Sequence, residues 1–344
     1  MTPEHIHQYW HSTDLPVEVI ASQQALTSLN TSWRTTMWSQ HSAAEFIRHH
    51  FGDGVASVFA KCKIPAMQSD LFRYCSLLRE GGIYLDSDAI AHQPFHQWLD
   101  PAADIALPIT NIADPVKPGL GNGFIASGPG NPLLAFALGQ SVHNVLRETE
   151  NNIARVTGPR TLHCALKFRR TCNPQLIDPR DNYLDNFNLA IKGRAGHWSV
   201  RQQTENIFLD LPETGTIESA DALRNGLGLV INPLAEELIQ DIVLGYRYAE
   251  FEWLVAGGRD TGESLAVLLE SNGNFDFEPL RECFEGSAGI DFESNDERIK
   301  QWRIAMLNEQ IQQFDAGLDR LVTSSTDANA LPRACAESES RPPG

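Results

Sequence analysis

The chain has 344 residues, enough for a catalytic domain plus a smaller module. Its 42% hydrophobic and 21% charged residues are ordinary for a globular protein, and no run of about 18 apolar residues reads as a membrane span. A net charge of −17 speaks against nucleic acid or an anionic bilayer as partner, since both need a basic face. Short apolar strands alternate with helical patterns over the first 204 residues, which predicts an α/β domain. Strands are predicted at His5–Trp10 and Trp33–Trp38, then helices over Ala43–His50 and Ser69–Glu80. Gly81-Gly82 stands where that helix must stop and the chain must turn into a strand, Ile83–Leu85. Strands at Ile105–Pro108 and Gly123–Ala126 come next, then helices from Pro132 to about Asn144 and from Pro159 to Arg169. Pro132 suits a first helical turn, where its missing N–H is no loss.

From Asn232 the pattern becomes helical and acidic. Leu234, Leu238, Ile242, Tyr246 and Ala249 recur at helical spacing and predict one buried stripe. Ser294 and Glu297 form a capping-box pattern before a last helix carrying Ile299, Trp302, Met306, Phe314, Leu318 and Leu321. The segment from Thr323 is rich in Ser and Pro and is expected to be disordered. Charge divides the chain somewhat earlier, near Glu205. Residues 1–204 carry 17 side chains of each sign, whereas residues 205–322 carry 24 acidic and 8 basic ones. We therefore expect a catalytic domain over 1–204, an acidic helical module over 205–322 and a tail over 323–344. Cys62, Cys75, Cys164, Cys172, Cys283 and Cys335 include no CxxC pair, so reduced thiols are expected rather than structural zinc or a disulfide framework.

The densest chemical signal is Ser69 to Asp88, SDLFRYCSLLREGGIYLDSD. Side chains two apart on a strand share a side, so Asp86 and Asp88 can converge where the strand ends. Two hard oxygen ligands suit Mg²⁺ or Mn²⁺ held together with a phosphate-bearing substrate. Alone, Asp-Ser-Asp also reads as a polar turn. Arg73 follows Asp70 by three residues on an amphipathic helical stretch, which allows either a local surface pair or a shared cleft. His5 and His7 share a strand face with His11 beyond them, but no third partner stands at ligand spacing, and a satisfied structural role is expected.

Asp70, Arg73, Gly81-Gly82, Tyr84, Asp86 and Asp88 together resemble the sugar-nucleotide signature of glycosyltransferase family 32, which includes capsule-type and lipooligosaccharide-type transferases and is related to the clostridial glucosylating toxins. The likeness extends to Ile6-His7-Gln8-Tyr9-Trp10, Asn122 to Ser127, Thr157-Gly158-Pro159 and His197-Trp198 over roughly the first 200 residues, about one domain. It implies a GT-A fold, a Rossmann-like nucleotide-sugar-binding domain, here with a mainly α-helical C-terminal module. It also implies a metal-dependent, retaining transfer of a hexose from a nucleotide sugar, UDP-linked more than GDP-linked, to a hydroxyl acceptor. By resemblance, Asp88 binds the metal, Asp86 touches the ribose, the sugar and the ion, and His197 completes the metal or diphosphate site. Asp70, Arg73 and Tyr84 contact the donor, Trp10 packs on the base, and Asn122 bonds the transferred sugar. Fungal Golgi members carry an anchor; the absence of an apolar leader pattern here gives the expectation of a cytoplasmic bacterial enzyme. Two other readings remain: a toxin-like transferase acting on a protein side chain, with the acidic module docking a basic partner, and a catalytically silent sugar-nucleotide binder.

Overall fold

A computed structural model of the chain describes residues 2–110, 119–168, 173–178, 181–186, 197–210, 217–230 and 234–255. In chain order the first half contains β1 (His5–Tyr9), α1 (Val17–Leu29), β2 (Arg34–Trp38), α2 (Gln40–Lys61), α3 (Pro65–Glu80), β3 (Gly82–Leu85) and β4 (Ala89–Ala91). A 3-10 turn at Phe95–Gln97 leads to β5 (Ile105–Thr110), β6 (Gly119–Leu120), β7 (Phe124–Ser127), α4 (Pro132–Leu146), α5 (Ile153–Val156) and α6 (Pro159–Phe168). The remaining described elements are β8 (Pro174–Ile177), β9 (Leu184–Asn186), α7 (Trp198–Thr204), α8 (Ala220–Gly228) and α9 (Glu236–Val255). The predicted α/β class and the predicted strands are present, with boundaries moved by a residue or two. The helix expected at Ala43–His50 is longer, because a Ser39/Ser42 capping box starts it early and it continues through a kink at Gly52.

One sheet runs in the order β2-β1-β3-β7-β5-β6, with β8 also on β5. β1 pairs in parallel with β2 and β3, β8 pairs in parallel with β5, and β7 lies antiparallel between β3 and β5. Two consequences position the site. The C-terminal ends of β1 and β3 open at one edge, the place where open α/β sheets bind ligands. Because β7 runs the other way, its N-terminal approach, Asn122-Gly123, comes to that same edge.

Side-chain alternation on the strands builds a core on each face. Ile6, Ile83, Leu85 and Phe124 join Leu26, Trp33, Phe95 and Trp98 on one side. Tyr9, Tyr84 and Ile125 face the larger helical layer of α2, α3, α4 and α9. Here α3 departs from expectation: it is buried continuously from Met67 to Leu78, so the Asp70–Arg73 pair lies inside the protein and not on an amphipathic surface.

The start of the acidic segment takes part in this core. Leu234, Leu238, Ile242, Tyr246 and Ala249 are all buried, as the helical spacing predicts. Ile207, Phe208, Leu223 and Leu227 join the same cluster. The second long helix predicted after Ser294 and the tail from Thr323 lie outside the described residues. Cys62, Cys75 and Cys164 are buried thiols; the other three cysteines lie outside the described residues. Among the described residues no helix is long and apolar enough to cross a membrane.

α4 and α9 cross at glycines. A Cβ on Gly245 would stand 2.0 Å from the Phe136 carbonyl oxygen, and one on Gly139 would stand 1.8 Å from that of Ile242. Gly245→Ala is therefore expected to push the helices apart and destabilise by about 1–3 kcal/mol. That would lower Tm by about 2–4 °C per kcal/mol in a domain of this size. Gly226→Ala on α8, where a Cβ meets nothing within 4 Å, is the control and should be near neutral. Equal melting of the two variants would contradict the tight crossing.

Candidate active site

The floor of the site is a buried charge network. Arg73 is 3% exposed and Asp70 5% exposed, a depth at which unpaired charge is not tolerated. Arg73 Nη2 lies 3.0 Å from Asp70 Oδ1 and 3.2 Å from Asp86 Oδ1, and donates to Ser69 Oγ at 2.5 Å. Its Nε donates to the Ser69 carbonyl at 3.3 Å and its Nη1 to the Asn122 carbonyl. The guanidinium lies over the Tyr84 ring, 4.5 Å from the centroid. Asp70 also accepts from Asn122 Nδ2 and from Thr157 Oγ1, both at 2.9 Å. Burial pushes the Asp70 carboxyl up to about 6, against the pull of Arg73. Burial works against the Arg73 charge too, but Asp86 and Asp70 outweigh it and hold the guanidinium protonated.

Above this floor, a turn and not strand alternation places the two carboxylates. β3 ends at Leu85, and the Ala89 N–H closes back on the Asp86 carbonyl at 3.0 Å. The Asp86 N–H donates to the Gly123 carbonyl at 2.7 Å, and buried Ser87 Oγ donates to the Tyr9 carbonyl at 2.8 Å. The serine thus pins the turn to the end of β1. Gly123 is needed for close approach, because a Cβ there would stand 2.6 Å from Asp86 Oδ2.

These residues open onto a cleft of about 490 Å³, within the range of small-molecule sites. Asp86 and Asp88 line it together with Trp10, Asn122 and His197, over the floor of Asp70, Arg73 and Tyr84. All eight residues singled out from the sequence thus meet in one place. Their environments differ. Tyr84 is 1% exposed, with its hydroxyl bonded to Ser69 Oγ at 2.9 Å, and burial raises its pKa. Asn122 bonds Asp70, and Arg73 directs its donors at protein groups. Trp10 is half-buried, its backbone N–H donating to the Trp38 carbonyl at 2.9 Å. His197 caps α7, its Nδ1 accepting the Ser199 N–H at 3.3 Å. Asp86, Asp88 and His197 share the cleft without their ligand atoms closing to within 4.8 Å as a group of three.

Sequence reasoning passed over several contributors. Thr157 holds Asp70 from the α5–α6 junction, which Tyr74 in turn fixes by donating to the Thr157 carbonyl at 2.8 Å. Ser69 and Ser87 brace the floor and the turn, and Trp198 and Arg201 on α7 complete the lining. Thr157 and Trp198 stand inside the segments of family likeness; nothing marked Arg201.

The histidines of β1 do find a third partner, Glu80 at the end of α3, brought near by the Gly81-Gly82 turn. His5 Nδ1 lies 3.0 Å from Glu80 Oε2 and His7 Nε2 lies 3.9 Å from it. Each ring is nonetheless satisfied. His7 Nδ1 accepts from Trp38 Nε1 at 3.3 Å, which leaves its proton on Nε2 to donate to the Gly81 carbonyl at 3.1 Å. Burial, with His5 nearby, lowers the His7 pKa to about 4 and keeps the ring neutral. His5 Nε2 bonds Thr36 Oγ1 at 2.9 Å. The expected structural role fits this bonding.

Residues 16–103, from the start of α1 to just before β5 with the DxD turn included, match the family model described as glycosyltransferase sugar-binding region containing DXD motif. The chain is 25% identical over 201 residues to an uncharacterised glycosyltransferase of Acanthamoeba polyphaga mimivirus, covering 55% of this chain and 75% of the relative. It is 27% identical over 144 residues to a mannosyl phosphorylinositol ceramide synthase of Saccharomyces cerevisiae, covering 42% of this chain but only 35% of that protein. The solved PaToxG glycosyltransferase overlays with a TM-score of 0.40 at 18% identity, over 72% of this chain and 86% of that one, a likeness too loose to build on. The family match and the named relatives bear out the resemblance to the DXD glycosyltransferases of family 32.

Proposed function

We propose that this chain, a transferase of the DXD-containing glycosyltransferases, moves a hexose from a nucleoside-diphosphate donor to a hydroxyl acceptor with retention of configuration. The observation that carries the reading is that Asp86 and Asp88 line one cleft at the carboxyl ends of β1 and β3, together with Trp10. Carboxylate oxygens suit a hard divalent ion, and Asp86 and Asp88 are the residues that would hold Mn²⁺ or Mg²⁺. When bound, such an ion supplies positive charge to the diphosphate as it departs. Asp86 is positioned for this by Arg73 on Oδ1 and by the open space at Gly123 beside Oδ2. Trp10 offers an aromatic face for the base.

Among the described residues lining the cleft the carboxylates are Asp70, Asp86 and Asp88. Asp70 is locked in the floor and the other two are assigned to the ion, so no covalent nucleophile is invoked. The acceptor oxygen attacks on the face the diphosphate leaves: the new O–C1 bond forms, the old C1–O bond breaks, and the acceptor proton passes to the departing phosphate oxygen. A UDP-linked donor and a cytoplasmic site of action belong to this reading. The word mannosyl in the yeast relative's name adds mannose-bearing donors to the screen. Acceptor recognition is assigned to the acidic segment 205–322.

The test is release of nucleoside diphosphate from a panel of UDP- and GDP-hexoses. Turnover is expected with Mn²⁺ or Mg²⁺ and its loss in chelator. Full turnover in chelator would remove the metal from the proposal, and failure to bind or turn over any donor would remove the transferase reading.

A further inference from the structure

Among the described residues lining the cleft, two carry permanent positive charge, Arg73 and Arg201. Arg73 is buried, with its donors committed to Ser69, Asp70, Asp86 and Asn122. Arg201 is differently placed. It lies on α7 four residues after His197, on the same helix face, with its side chain 28% exposed. Its Nε donates to Glu205 Oε1 at 2.6 Å, and among the described residues no hydrogen bond from its two terminal nitrogens is present. The other oxygen of Glu205 lies 2.6 Å from Lys63 Nζ. A second observation places the Arg201 charge at the cleft: His11, which also lines it, is held below its ordinary pKa by burial and then by the Arg201 charge.

We infer that Arg201 is the side chain that receives the donor's diphosphate, and that Glu205 holds its guanidinium in readiness at the cleft mouth until a phosphate replaces it. This rests on the nucleotide-sugar reading above and adds to it a binding residue. The lining balances three carboxylates against two guanidiniums, so an incoming diphosphate meets a cleft with no other exposed fixed cation among its described residues. Arg suits the task because its planar fork grips two phosphate oxygens at once. The Arg201–Glu205 pair is only part-buried, and pairs of that kind hold weakly enough to exchange for a more highly charged partner. Lys63 stays with Glu205 after the exchange, so the carboxylate is not stranded.

The experiment is calorimetric titration of the full chain with UDP, GDP, UMP and GMP in Mn²⁺ at fixed ionic strength. Arg201→Gln is expected to weaken the better diphosphate about 10- to 100-fold, the range for a lost hydrogen bond to a charged group. The matching monophosphate should change less than about threefold, because it lacks the second phosphate. Glu205→Gln should act in the opposite sense and tighten the diphosphate, since the competing charge is gone. Arg201→Lys should fall between wild type and Arg201→Gln, because charge remains while the fork is lost. Unchanged diphosphate binding by Arg201→Gln, equal losses for mono- and diphosphate, or weaker binding by Glu205→Gln would overturn the role of Arg201 and leave the transferase reading intact. Failure of the wild-type chain to bind any of the four nucleotides would overturn both.

Discussion

Replacing Arg73 by methionine is expected to cost about 3–5 kcal/mol of folding stability, the range for stripping one partner from a buried ion pair. Asp70 would be left inside α3 with Asn122 and Thr157 as its remaining donors, and Asp86 would lose the guanidinium that orients it. The double variant R73M/D70N removes both buried charges and should recover part of the loss. The pH dependence has a definite sign. Burial raises the folded-state value of Asp70 from 3.8 to about 6, so the folded protein holds this proton more tightly than the unfolded chain. The stability it contributes is therefore greatest below about 4 and falls as the pH rises through about 6. The deficit of the Arg73→Met variant should shrink as the pH falls toward about 6, because Asp70 without its counter-ion takes up its proton at a still higher pH than in wild type. Urea denaturation at several pH values measures all of this; an Arg73→Met chain within about 1 kcal/mol of wild type would show that the network is not what holds α3 in place.

Changing Asp88 to asparagine keeps the size of the side chain and removes its charge. Transfer is expected to drop by about 10²–10³-fold, as for loss of one group aimed at developing charge. Tm should stay within a few degrees of wild type. Asp86→Asn should lose a similar factor and melt earlier as well, because Asp86 is also a counter-ion of Arg73. The contrast singles out Asp86, which is joined to the floor through Arg73. Undiminished donor turnover by either variant would end the proposed role of the pair. Activity and Tm measured on the same preparations decide it.

Much of this site could be read before any coordinates, because its parts lie close in sequence or at strand ends. Asp86 and Asp88 come directly after an apolar strand, and a strand that ends in an α/β sheet delivers its next few residues to the ligand edge. Trp10 follows β1 in the same way, whereas Asn122 precedes an antiparallel strand and was reached through the family likeness. Depth, by contrast, could not be read. Asp70 and Arg73 three residues apart look the same on a surface helix and on a buried one, and only contact with α2, α4, α5 and the sheet makes α3 central. Long-range partners were equally hidden. Thr157 meets Asp70 across 87 positions, and Glu80 meets His5 only because two glycines with φ of 67° and 102° fold the helix end back onto β1. The placement of the carboxylates was anticipated for a reason that does not hold: a turn pinned by Ser87 brings them together, where strand alternation was expected to do so.

The crossing of α4 and α9 bears on how the chain can be dissected. Phe136 and His143 on α4 meet Tyr248 and Tyr246 on α9 with ring centroids 5.5 and 5.0 Å apart. A protein trimmed back to the charge change at Glu205 would keep every cleft aspartate yet expose that apolar strip to water, and it should precipitate or self-associate. Anyone seeking the smallest working enzyme should place the cut beyond Val255.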